Sequence, residues 1–176
     1  MPINAIRSWL GLDKAAAPEA APLRELVDAL DQLEPERARH LARFAYLLGR
    51  VAHADRQISD DERRAMETLV QQHGTLTADQ ALLVVSLARN SNVLFGGTAD
   101  FIVAQEFAQN ASYDEKLALA RCLFAVGAAD AAISMAEETE IHRITNHLKI
   151  LPADLTKLRV EHRQFLPGLT TRPPAD

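Results

Sequence analysis

The chain has 176 residues, of which 48% are apolar, 24% charged and only 5% aromatic, with a formal net charge of -5 at pH 7. That length suits one well-buried domain plus a short arm or tail, and a composition rich in Ala and Leu but poor in strand-forming residues points to helices. The acidity removes any general attraction to nucleic acid, the lone Cys122 excludes an intramolecular disulfide or a cysteine-based zinc site, and no apolar run approaches the ~20 residues needed to cross a bilayer.

Met1 to Leu12 places Ile3, Ile6, Trp9 and Leu10 on one side of a helix, as an arm that docks on the domain. The other reading, a segment lying on a membrane or partner surface, has only Arg7 and Lys14 to attract anionic lipid. With no long apolar stretch before a small-residue cleavage site, secretion is not expected and a cytoplasmic protein is. Ala15 to Pro22 is an Ala/Pro linker. Residues 1–22 are therefore read as arm and linker, 23–163 as one helical domain and 164–176 as a flexible tail.

Leu23, Leu26, Val27, Leu30 and Leu33 recur at helical spacing, and Pro35 suits the first turn of the next helix, where its missing N–H costs nothing. That helix turns Leu41, Phe44, Ala45, Leu48, Val51 and Ala52 inward, leaving Arg39, Arg43 and Arg50 as one basic stripe. The stripe reads as a solvated face, or as a recruiter of an acidic partner. Ser59 to His73 forms a helix stopped by Gly74. Thr77 caps the next, whose Leu82, Leu83, Val85 and Leu87 make it apolar on several sides and so expected at the centre. Asn90–Asn92 and Gly96–Gly97 bracket an irregular connection, and a helix from Phe101 ends near Asn110.

The second half opens on a Ser112-x-x-Glu115 capping box, and its first helix surrounds Cys122 with Leu119, Leu123 and Phe124, so the thiol is expected to be buried. Ser134 to Leu148 and a last helix opened by Pro152 complete the chain. Glu138 and His142 are spaced to pair on one face. No phosphate-binding loop, nucleophile elbow or E-x-x-H metal motif occurs, so no enzyme is expected.

One stretch is used twice, 75 residues apart. Val51/Val126, Ala54/Ala129, Asp55/Asp130, Ile58/Ile133, Ser59/Ser134 and Glu62/Glu137 are identical pairs, and Leu76/Leu151, Ala78/Ala153 and Asp79/Asp154 extend the register. Such regularity predicts an all-α, single helical-bundle domain of seven to eight helices built from two pseudo-twofold-related repeats, spanning about 35–90 and 112–163. Each inter-helix hinge has a folding role that needs no ligand: Ser59-x-x-Glu62 and Ser134-x-x-Glu137 are capping boxes, and Asp55 and Asp130 sit where Asp bonds its own backbone. The alternative is a divalent-metal site, since Asp55, Glu62, Asp130 and Glu137 brought together would offer the hard oxygens that Ca²⁺, Mg²⁺ or Mn²⁺ prefer.

The duplicated hinge and its approach, Leu47-Leu48-Gly49-Arg50-Val51-Ala52-His53-Ala54-Asp55 with Ile58, Ser59 and Glu62, then Tyr113-Asp114-Glu115 and Val126-Gly127-Ala128-Ala129-Asp130 with Ile133 and Glu137, resemble the tellurite-resistance TerB-like family over roughly residues 23–163. The resemblance implies an all-helical, cytoplasmic, non-enzymatic module associated with stress and tellurite resistance. It also implies divalent metal bound through acidic hinge residues, here Asp55, Glu62, Asp130 and Glu137. Where the family has Gly after the hinge Asp, this chain has Arg56 and Ala131, which adopt a left-handed backbone only at a cost. Either metal-responsive signalling or metal-independent docking of other proteins fits this pattern.

Overall fold

A computed structural model describes residues 21–54, 60–90, 100–129 and 132–166. They form eight α-helices and no strand: α1 (Ala21–Asp31), α2 (Pro35–Ala52), α3 (Asp60–His73), α4 (Ala78–Asn90), α5 (Asp100–Asn110), α6 (Tyr113–Gly127), α7 (Met135–His147) and α8 (Pro152–Glu161), closed by a 3₁₀ turn, Arg163–Phe165. The arm at 1–20, the connection at 91–99 and the tail beyond 166 lie outside the described residues. No described helix is long and apolar enough to cross a membrane.

Local chemistry sets the boundaries. Glu34 caps α2, accepting from the N–H groups of Glu36 at 3.0 Å and Arg37 at 3.1 Å, with Pro35 next in the first turn. Thr77 and Gln80 exchange side-chain and backbone bonds of 3.3 and 3.4 Å at the head of α4, and Ser112 with Glu115 does the same for α6. At the end of α3, Gly74 donates to the Val70 carbonyl at 2.8 Å. Thr75, not the glycine, takes the left-handed backbone there, with φ 55°, and Lys149 does so after α7 with φ 57°.

The central helix is α2, not α4. It packs against α1, α4, α5, α6 and α7, and Leu41, Phe44, Leu47, Leu48 and Val51 are all buried. By contrast Leu82 of α4 is 49% exposed. An apolar surround identifies a buried helix only if the sequence also shows what covers each side. The 75-residue register drifts as well: Leu76 is buried at 7% exposure while its sequence counterpart Leu151 is 57% exposed, and Ile150, one residue earlier, is the buried one.

The second half is tied down by polar contacts that the helical pattern does not announce. The Tyr113 hydroxyl donates to Asp154 at 2.8 Å and accepts from the Leu151 N–H at 3.1 Å, fastening the head of α8 to the head of α6. Glu138 reaches Arg159 of α8 at 2.6 Å rather than pairing with His142. The packed chain continues past the last helix: Leu166 is buried, and the Phe165 carbonyl accepts from the Ile133 N–H at 2.7 Å, closing over the second hinge.

Candidate functional site

Of the four hinge acids, Glu137 alone has a described side chain; Asp55, Asp130 and the side chain of Glu62 lie outside the described residues. Glu137 accepts from the Ser134 N–H at 2.7 Å, and the Ser134 hydroxyl oxygen accepts from the Glu137 N–H at 3.2 Å. The expected capping box is therefore formed, and it holds a carboxylate only 8% exposed at the head of α7, where the helix dipole favours negative charge. Ca²⁺ needs six to eight oxygen ligands. Among the described residues no group of three or more His, Cys, Asp or Glu converges to hold a cation. Replacing Ser134 by alanine is expected to destabilise the protein by about 1 kcal/mol through loss of the cap, read as a lowered thermal midpoint.

The approach to the first hinge holds a contact that sequence reasoning missed. His53 places Nε2 at 3.0 Å from the Ala88 carbonyl and 3.1 Å from the Arg89 carbonyl, so Nε2 carries the proton and closes the C-terminus of α4. Its Nδ1 is buried without a partner among the described residues. Nothing at sequence level distinguishes this His from one on a solvated helix end.

The basic stripe of α2 is not a solvated face. Arg43 is paired with Glu106 of α5 at 2.9 Å, with its side chain only 15% exposed, and Arg50 with Glu140 of α7 at 3.4 Å. Arg39 pairs with Glu36 one turn away, and Arg37 donates to Gln80 of α4 at 2.6 Å. Arg43 and Arg50 therefore join α2 to α5 and α7, while Arg39 is held within α2.

Where the first turns of α2 and α6 meet the end of α5, a cleft of about 260 Å³ opens, lined among others by Arg37, His40, Phe107, Asn110 and Glu115. Its floor is aromatic: the His40 ring lies 5.0 Å from Phe107, which meets Phe44 edge-to-face at 6.3 Å. Burial holds the His40 imidazole below its ordinary pKa, and Arg37 and Arg43 add to this while Glu115 opposes it. Burial pushes the Glu115 carboxyl up, but the two hydrogen bonds from Ser112, with His40 and Arg37 nearby, outweigh it and leave the group below its ordinary value.

The signs follow from linkage. A His whose folded pKa is depressed binds fewer protons folded than unfolded, so its contribution is intact above the unfolded value of 6.5 and is lost as pH falls towards the folded one. The Glu115 contribution is lost only below 4.5. Thermal midpoints are accordingly expected to begin falling below about pH 6.5, and His40→Gln is expected to flatten that first step while leaving the deeper acid loss in place.

Described residues that are all helical, with the second inter-helix hinge capped and one central helix, are what the comparison with known families meets. The family model described as "Tellurite resistance protein TerB" matches residues 42–160, well over half of the chain. The chain belongs to the TerB family. The match begins within α2 and ends within α8, so it takes in both hinges and excludes the arm, α1 and the tail. No curated protein and no solved structure matches the chain.

Proposed function

We propose that the protein is a non-enzymatic TerB-family module of tellurite-resistance systems that acts by docking other proteins, with its hinge acids serving first as helix caps. The family match supports the association with tellurite resistance. The observation that carries the rest is the use of the described charged groups. Glu34, Glu115 and Glu137 close helix heads, and Arg43, Arg50 and Arg159 join helices to one another. Cys122 adds to this: burial pushes its thiol up to about 12, withholding the thiolate that chemistry on a tellurium oxyanion would need.

A second reading, a divalent cation held by Asp55, Glu62, Asp130 and Glu137, is favoured by the recurrence of the two helical halves. Helices α2 and α6 end at Ala52 and Gly127, 75 residues apart, and α3 and α7 at His73 and His147, 74 apart. The left-handed residues Thr75 and Lys149 are also 74 apart. Matching helix ends on either side of the two hinges are what a pseudo-twofold pair would need.

One experiment separates the readings. Chelator-stripped protein is unfolded thermally while titrated with Ca²⁺, Mg²⁺ or Mn²⁺. A flat response to every ion supports hinges that only cap. A saturable rise in the midpoint, following RT ln(1 + [L]/Kd) and abolished in an Asp55→Asn, Asp130→Asn double variant, would establish the cation reading instead.

A further inference from the structure

The cleft between α2, α5 and α6 contains polar groups that face one another without touching. Glu115 Oε1 stands 3.8 Å from His40 Nε2 and 4.0 Å from the Arg37 guanidinium, beyond the ~2.7–3.2 Å of a hydrogen bond. The second oxygen of Glu115 is occupied, accepting from the Ser112 N–H at 2.8 Å and from its hydroxyl at 2.9 Å. One polar atom seated beside Glu115 Oε1 would come within reach of that oxygen and of Arg37 or His40, as a bridging water or ligand atom does elsewhere.

That atom has to accept from Arg37 and donate to Glu115, and a hydroxyl does both. A carboxylate or phosphate there would meet the Glu115 charge, and an ammonium group would meet that of Arg37. Around the gap the charges nearly cancel: Glu34, Glu36, Glu106 and Glu115 stand against Arg37, Arg39 and Arg43. Beside it lies the partly exposed ring of His40, backed by the buried Phe107, against which the C–H face of a ring or polyol can rest. The volume of about 260 Å³ corresponds to roughly eight or nine waters at ~30 Å³ each. That is the size of a monosaccharide, below the usual ~300–1,000 Å³ of drug-sized sites.

We propose that this cleft binds a small uncharged polyhydroxy molecule, a polyol or monosaccharide, with one hydroxyl bridging Arg37 and Glu115 beside the His40–Phe107 pair. The site is separate from both hinges and stands or falls independently of the cation question. The test is an amide-shift titration of the full chain with glycerol, ribose, glucose and inositol, with acetate and methylammonium as ionic controls. Saturable shifts confined to residues around Arg37, His40, Asn110 and Glu115, at tens of millimolar polyol or less, are the expected result. Arg37→Met, at a position one-third exposed, is expected to weaken binding about tenfold, a loss of about 1.4 kcal/mol, without loss of fold as judged by shifts unchanged away from the cleft, from Gln80, which Arg37 also contacts, and from its partner Thr77. No polyhydroxy probe shifting these residues, an ionic control binding as tightly as the best polyol, or an Arg37→Met variant of unaltered affinity would each overturn the proposal.

Discussion

Replacing Phe44 by alanine is expected to cost about 3–5 kcal/mol, the range for removing a fully buried aromatic ring. Phe44 is 1% exposed at the middle of α2, and its ring meets Phe107 of α5 edge-to-face and approaches His40 at 6.4 Å. The loss combines transferred apolar surface, a cavity beside the central helix and an aromatic pair that Leu would only partly replace. For a chain of this size each kcal/mol moves the midpoint by about 2–4 °C, so a fall on the order of 10 °C is expected. A drop of only a degree or two would mean that α2 is not the element on which the others are assembled.

Gly74→Ala is expected to destabilise by about 1–3 kcal/mol, as overpacking of a tight site does. A Cβ there would lie 2.5 Å from the Val70 carbonyl oxygen, with Cys122 Sγ and Leu76 Cγ each at 3.4 Å. The carbonyl cannot simply move aside, because it accepts the Gly74 N–H that ends α3. Two readouts check this together: the thermal midpoint, and alkylation of Cys122, which should quicken as its packing loosens. An alanine variant as stable as the parent would show that the turn has room that the geometry denies it.

Helix ends were legible because they are written locally. Pro35, Pro152, the Ser112/Glu115 and Ser134/Glu137 boxes and Thr77 each act within four residues, and all are found where their spacing put them. Burial of Cys122 was legible from its apolar neighbours. What failed was reading across distance. The Arg stripe looked solvated because its partners lie 63 residues away for Arg43 and Glu106, and farther still for Arg50 and Glu140. Glu138 had a neighbour at helical spacing in His142 but found a better one in Arg159, on another helix. Identity between Leu76 and Leu151 did not make them equivalent, because which side chain faces the core depends on where the preceding helix stops. For the hinges, the letters were plain and the role of Glu137 as a cap followed from them. Whether four acids converge is a tertiary question, which no local spacing answers.

The pairing along α2 has a consequence for any attempt to recombine this chain with its relatives. Arg43 matches Glu106 of α5, Arg50 matches Glu140 of α7, and Arg37 and His40 face Glu115 of α6. A foreign α2 with equally good apolar residues but a differently spaced set of charges would lose all of these inter-helix contacts, leaving Glu140 only Arg143 of its own helix and Glu115 only its Ser112 cap. The loss is small at Glu106, whose carboxylate is 46% exposed, and larger at Glu140, which is 14% exposed. The helix is therefore not an exchangeable part: a chimera that keeps its lock must bring α5, α6 and α7 with it.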